Sequence, residues 1–496
     1  MFRMGTWARS CGFPATGYRC PEKEDPDAVK RVLLLATTTG YQTRSFGEAA
    51  SALGVELVFG LDRCRGLDDP WGDHALAVRF YDDPRSVDAI VSASHDGPIA
   101  GILALGDQPT VLAARAAEVL RLPFHSPAAA RASRNKLDTR NALLAAGLRV
   151  PWFASADIDD DHDALAARVP YPCVVKPLAL SGSRGVIRAD HPQALSTALR
   201  RLRHILLAPD VKTMKDPALR QVLVEGYIPG AEFAVEGLMH RGALDVLAIF
   251  DKPDPLDGPF FEETIYVTPS AHDTAIQERI VAAITLAAAA IGLWHGPVHA
   301  ECRVNADGVF VLEVAARPIG GLCARALRFA ALQVGIDPAS GSEPFGSRET
   351  GLLAQGPSAC GRLDRSLRAS RQAGRQAERN AIALEELLLR HALGEDVRNY
   401  RRESCASGVM MMPIPRAGVY RGVENVDEAR SVAFVDEVII TAKPDQHLVP
   451  LPEGASYLGF IFARASLGAD VVASLREAHG RLRFGIDREL RLAPEK

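Results

Sequence analysis

The chain has little of what marks several large classes of protein. Its eight cysteines (Cys11, Cys20, Cys64, Cys173, Cys302, Cys323, Cys360 and Cys405) are scattered, with no CxxC pair. That argues against a cysteine-based zinc site and against a disulfide framework, and leaves them as reduced thiols. No stretch approaches the roughly 18 consecutive apolar residues of a membrane helix. The longest run, IVAAITLAAAAIGLW, reads instead as a buried amphipathic helix. A net charge of -4 supplies no long-range attraction to nucleic acid or to an anionic membrane, so neither is an expected partner. The first twenty residues lack the unbroken apolar core of a secretory signal, so the expectation is a cytoplasmic protein with a disordered tail over residues 1–30. There is no internal repeat and no GxGxxG.

What is present is length and apolar content. At 496 residues and 47% hydrophobic, the chain has room for two to four domains, each with its own core. RVLLLATTTGY reads as a buried parallel strand running into a loop. The unit repeats: a helix over 43–53, a strand in VELVFGLD, a helix around 84–94, a strand in GPIAGILALGDQPT and a helix over 110–120. Alternation of this kind implies a parallel sheet. Thr37 to Tyr41 and Gly106 to Thr110 then either border a cleft beyond the strand ends or are ordinary turns.

A helix over 133–147 carries Lys136 and ends at Gly147 before Pro151. Strand-like runs dominate from Tyr171 to Arg317, with Asn305 to Gly308 as a hairpin turn. Residues 335–380 change character. Arg362, Arg365, Arg368, Arg371, Arg375 and Arg379 recur at three or four, a stripe that either touches phosphate or lies on a solvated linker helix. An amphipathic helix, AIALEELLLRHALG, follows, and short strands and helices run from Gly408 to about Phe484.

Several segments carry chemistry. Lys176, in VVKP, is held on a β-branched strand, a fixed place for an ammonium facing phosphate. Ser181, Gly182, Ser183, Arg184 and Gly185 form a small-residue loop whose amides can approach phosphate oxygens. In VLVEGYIPGAEF, the backbone of Glu225, Gly226, Tyr227 and Ile228 suits an adenine edge, and Glu232 is a bidentate acceptor for a ribose diol. His299 and Glu301 share one face of a strand, and the turn brings Glu313 beside Glu301. Adjacent carboxylates repel unless a cation sits between them, so Mg2+ (or Mn2+) held with phosphate oxygens is the natural resolution, an exposed cross-strand pair the alternative. Arg317 carries a planar fork for a carboxylate or phosphoryl group. Gly320 and Gly321 lead into a helix whose N-terminus suits an anion. His299 either orients substrate or is a satisfied core histidine. The loop DKPDPLDGPFFEET offers Lys252, Glu262 and Glu263 as substrate contacts.

In this order these residues resemble the ATP-grasp superfamily, specifically its carboxylate-amine ligases and most closely the L-amino acid ligases that make dipeptides. GVMMMPIPRAGVYRGV and LPEGASYLGFIFARA are similar to the C-terminal domain of that subgroup. The resemblance implies a multidomain α/β and α+β fold. Its parts are an N-terminal parallel-sheet domain (31–130), a central antiparallel-sheet ATP-binding domain (131–335), a linker or insertion (336–380) and a C-terminal α+β ligase domain (381–496). It implies ATP and magnesium, a carboxylate and an amine as substrates, both amino acids, and a homodimer, which is usual in the similar ligases. Lys136 and Lys176 would be the phosphate lysines, Glu301 and Glu313 the metal carboxylates, and Arg317 the substrate arginine. One departure is Ala315, where many of these enzymes place a metal-binding asparagine. A ligase of the same mechanism acting on another carboxylate or on bicarbonate, and a nucleotide-binding protein without catalysis, remain the other readings.

Overall fold

The computed structural model describes residues 29–37, 42–62, 75–332 and 381–488. The tail, the loop at 38–41 and the arginine-rich stripe lie outside the described residues.

RVLLLA is apolar on both faces, and the strand Arg31–Ala36 is accordingly buried on both. It pairs in parallel with Glu56–Leu61 on one side and Ile99–Leu105 on the other, and Leu76–Ala77 completes a four-stranded sheet. The three helices expected here occupy Gln42–Leu53, Asp83–His95 and Thr110–Leu120.

The single helix expected over 133–147 is instead two, Pro127–Arg134 and Lys136–Ala145. Asn135 breaks it. Its backbone is extended (φ -96°, ψ 112°), and its side chain accepts the Leu137 and Asp138 amides as an N-cap. Lys136 therefore opens a helix rather than sitting inside one. Its backbone amide donates to the Leu178 carbonyl at 3.0 Å.

Phe153–Asp157, Gln221–Gly226, Cys173–Pro177 and Ile187–Ala189 form a four-stranded antiparallel sheet in that order. It carries Lys176 and Glu225 on adjacent strands. A larger sheet of eight strands lies beyond it, ordered Gly308–Ala315, Gly296–Asn305, Ala231–His240, Ala243–Asp251, Ile265–Thr268, Ala406–Met412, Gly459–Ala465 and Val435–Ile440. The helix Thr274–Ile291 presents Ile280, Ile284, Ala287, Ala288 and Ile291 to a core shared with this sheet, the three-and-four spacing of an amphipathic helix. It is the one helix among the described residues long and apolar enough to cross a membrane.

The C-terminal strands thus extend the central sheet, through Ile265–Thr268 against Ala406–Met412. The helix Leu384–Ala392 goes elsewhere and packs against the N-terminal sheet. At Gly101 an added Cβ would lie 2.6 Å from the Ala392 carbonyl oxygen, so that approach needs a glycine.

Candidate active site

Alternating side chains put His299, Glu301 and Arg303 on one face of Gly296–Asn305, and the hairpin sets its partner strand in register. Asn305 pairs with Gly308, Glu301 with Glu313 and His299 with Ala315. The Asn305 side chain closes the turn by accepting the Asp307 amide at 2.9 Å. The register shifts between Glu301 and Cys302, which bulges the partner strand around Leu312.

These residues face a cavity of about 390 Å³ to which three regions contribute. Thr37, Gln42, Leu105 and Gly106 come from the N-terminal sheet. The two antiparallel sheets and their loops supply Lys136, Lys176, Ser181, Gly182, Ser183, the run from Glu225 to Ile228, Glu232, Glu263, His299, Glu301, Glu313, Arg317, Gly320 and Gly321. Met411, Tyr457 and Phe460 come from the C-terminal region. Of the two strand-to-helix segments, Thr37 and Gly106 line the cavity.

The phosphate-loop candidates lie together. Lys136 Nζ donates to the Leu180 carbonyl at 2.7 Å and lies 3.7 Å from Glu313 Oε2. Gly182, Ser183 and Gly185 all have positive φ, and an added Cβ on Gly185 would come within 2.7 Å of Leu202 Cδ1. The loop is roofed by the C-terminal region, since the Gly185 amide donates to the Pro452 carbonyl at 2.9 Å. Arg184 departs from expectation: its guanidinium bonds Asp210 at 2.5 Å and does not line the cavity.

Lys176 is not free either. Its ammonium is bound to the carboxylate of Glu225, whose side chain is buried. Arg140 grips the same carboxylate with Nε at 2.8 Å and Nη2 at 3.3 Å, and bonds the carbonyls of Val311 and Leu312 at the bulge. Burial by itself would raise the Glu225 pKa, but the two cations outweigh it and bring it to about 2. Burial and the neighbouring Arg140 lower that of Lys176. Sequence reasoning missed Arg140, whose partners lie 85 and 171 positions away.

Lys252, expected to contact substrate, is instead buried beneath three carboxylates. Its Nζ donates to Glu232 at 2.8 Å, to Glu301 at 2.9 Å and to Glu263. It works as an internal counter-ion, because three carboxylates this close need a cation among them. Burial and the charge of Glu301 push Glu263 up to about 7. Glu232 keeps its place in the cavity wall, bonded also by Arg303 Nε at 2.7 Å. Tyr227 stacks with Phe261 at 6.5 Å between centroids, and the two make a flat aromatic wall. Arg303 lay within a segment already singled out, two residues from Glu301, so its position was readable from strand alternation.

His299 Nδ1 donates to Glu236 Oε2 at 3.1 Å, and its other nitrogen lies 3.7 Å from Glu301. Burial disfavours its charged form, yet the hydrogen bonds to these two carboxylates raise its pKa to about 9. Arg317 forms a two-armed pair with Asp107, Nε to Oδ1 at 2.7 Å and Nη2 to Oδ2 at 3.2 Å. Gly320 and Gly321 line the cavity, but the helix expected after them is a single 3-10 turn, Cys323–Ala326, too short to carry a useful dipole.

Comparison with known proteins agrees with this architecture. Residues 47–124 match the ATP-grasp N-terminal domain, residues 169–326 the ATP-grasp domain and residues 410–487 the L-amino acid ligase C-terminal domain 2. A D-alanine–D-alanine ligase of Aromatoleum aromaticum is 27% identical over 62% of this chain and 92% of its own length. An uncharacterized protein of Sinorhizobium fredii is 25% identical, and the match spans 60% of each chain. The crystal structure of an L-amino acid ligase from Bacillus licheniformis superposes with a TM-score of 0.69 at 23% identity, covering 92% of this chain and 99% of that one. The chain thus carries an ATP-grasp domain, preceded by an ATP-grasp N-terminal domain and followed by a domain of the L-amino acid ligase C-terminal type.

Proposed function

We propose that this protein is an ATP-dependent carboxylate-amine ligase that joins two amino acids through an acyl phosphate, releasing ADP and phosphate. The observation that carries the reading is the single cavity in which Lys136, Lys176, the serine-glycine loop, Glu301, Glu313 and Arg317 converge from separate elements. The C-terminal match and the similarity to a D-alanine–D-alanine ligase support amino acids as the substrates.

A carboxylate expels oxide too poorly to be attacked by an amine at neutral pH, so it must first be phosphorylated. Tyr227 and Phe261 would hold the adenine, with the backbone of Glu225 to Ile228 at its edge, and Glu232 would take the ribose hydroxyls. Lys136, Lys176 and the amides of Ser181 to Ser183 would hold the phosphates. Glu301 and Glu313 fit a divalent cation: they are cross-strand partners, both reach the cavity, and each now leans on a lysine, Lys252 or Lys136, for countercharge. Mg2+ or Mn2+ held there would neutralise phosphate charge during transfer. Arg317 would grip the transferred group or the substrate carboxylate. The roof over residues 181–185 would keep water from the acyl phosphate, which otherwise hydrolyses. Gly320 and Gly321 leave space for substrate backbone.

The test is release of ADP and phosphate by the purified protein with Mg2+ and ATP, against amino acids singly and in pairs, with mass spectrometry of active mixtures. Amino-acid-dependent release, and a product at the summed mass less one water, is the expected result. Release with bicarbonate or another carboxylate alone would replace the substrate assignment but keep the mechanism. A second reading, nucleotide binding without catalysis, has Ala315 in its favour: a buried methyl group stands opposite His299 where a ligand amide is common in the family. It requires ATP binding with no ADP from any pool. A homodimer belongs to the same proposal, and sedimentation equilibrium decides it.

A further inference from the structure

Outside the lining of the cavity described above, three histidines meet that have no part in the chemistry proposed for it. His240 ends the strand Ala231–His240, His295 precedes the strand Gly296–Asn305, and His391 lies in the last turn of the helix Leu384–Ala392. One ring nitrogen from each falls within 4.8 Å of the others. His295 and His391 stack at 4.2 Å between centroids, and His240 is 5.6 Å and 5.8 Å from them.

The backbone sets this meeting up. Arg241 and Gly242 both have positive φ, the geometry of a tight two-residue hairpin that ends the strand at His240. The Gly242 amide donates to the Trp294 carbonyl at 2.8 Å, which pins the residue before His295 to that turn. The helix bearing His391 is seated by its apolar face, Leu384, Leu387, Leu388 and Leu389, in the shared core.

Two of the three rings leave buried nitrogens unpaired. His295 is 4% exposed and His391 is 2% exposed. Both ring nitrogens of His295 and Nε2 of His391 are buried without a hydrogen-bond partner. A buried ring nitrogen without a partner has lost its hydration and gained no hydrogen bond in return. Two such rings stacked on each other, with the half-buried His240 beside them, call for something that satisfies them together. Beside them lies a second cavity of about 270 Å³, lined by His240, His391 and Asp245, with Arg398 on its wall.

We propose that His240, His295 and His391 form a binding site for Zn2+, with the fourth position open to water from the adjoining cavity. Neutral imidazole is the required ligand form. Burial and the neighbouring rings and Arg241 hold His295 and His391 neutral, with pKa values lowered to about 4 and about 3. Imidazole nitrogen suits zinc better than Mg2+ or Ca2+, which prefer oxygen. The rings must turn out of their stack to direct one nitrogen each at a shared centre. Asp396 pairs with Arg398 at 2.7 Å and offsets the charge that Arg398 presents to it. Such a centre would tie the helix that follows the arginine-rich segment to the turns of the central sheet.

The test uses the full-length protein without a histidine tag, stripped with chelator and titrated with Zn2+ in the presence of saturating Mg2+ and ATP, so that the carboxylate site is filled. The expected result is stoichiometric zinc by elemental analysis, a raised Tm, and a visible d–d band of tetrahedral type when Co2+ replaces zinc. His391→Gln and the half-buried His240→Gln should each lose the stoichiometric metal and the Tm shift. His240→Gln, at the margin of the cluster, keeps the test valid if the buried variant does not fold. Absence of stoichiometric zinc in the wild type would overturn the proposal, and so would equal binding by wild type and His240→Gln. None of these readouts depends on ligase turnover.

Discussion

Asp107 and Arg317 stand 210 positions apart in the chain and close a two-armed ion pair between the N-terminal sheet and the end of the strand pair that carries Glu301 and Glu313. Both are largely buried, and the carboxyl of Asp107 is held low by Arg317 against the opposing effect of burial. Removing one partner would leave the other charge buried and uncompensated. Asp107→Ala should therefore lower unfolding free energy by about 3 kcal/mol, read from urea denaturation. Unchanged stability would mean the two regions do not depend on this contact.

Glu313→Gln keeps the size of the side chain and removes the charge opposite Glu301. ADP release should fall at least about 100-fold, with the circular dichroism spectrum unchanged, since loss of a metal ligand should cost no less than loss of its supporting contacts. A folded variant with wild-type turnover would remove Glu313 from the metal site.

Arg140 touches no cavity space, yet it holds the Glu225 carboxylate and the two carbonyls beside Glu313. Arg140→Met should cost about 3–5 kcal/mol in stability, because Glu225 is left with Lys176 alone. It should also raise the KM for ATP, since Lys176 would be drawn more tightly to Glu225. Calorimetry of ATP binding to the folded variant checks the second effect.

The same carboxylate predicts an acid limit. Its folded pKa of about 2 lies below the ordinary value of 4.5, so its contribution is complete above pH 4.5 and is lost as pH falls towards 2. Unfolding midpoints measured across that window should drop in the wild type. They should drop less in a Glu225→Gln protein, which has no carboxylate there to protonate.

Gly185 has φ +76° and no room for a Cβ beside Leu202. Gly185→Ala should weaken ATP binding by about tenfold, the equivalent of the 1–2 kcal/mol that left-handed backbone costs an L-residue, through distortion of the loop. Equal affinities in wild type and variant would show that the loop does not contact phosphate.

Much of this was legible because it is local. Strand alternation and the Asn305 to Gly308 turn were enough to place Glu301 opposite Glu313, and the βα alternation foretold the parallel sheet. What stayed hidden is long-range pairing. Nothing near Arg140 in the sequence indicates that its partners are Glu225 and Val311, and nothing about Lys252 indicates that three carboxylates close over it. The break at Asn135 was readable in principle, since asparagine is a favoured N-cap, but the surrounding helical pattern masks it. His240, His295 and His391 carry no ligand-spacing motif because a turn, a loop and a helix end bring them together.

The shared eight-stranded sheet has a consequence for how the chain is made. Ile265–Thr268 hydrogen-bonds to Ala406–Met412, which leaves the ribosome much later. Until then the strand presents a bare backbone edge, of the kind that pairs readily with another chain. A protein cut short before residue 406 would keep the lysines, the serine-glycine loop and the paired glutamates, yet it should clump rather than yield a small working nucleotide-binding unit.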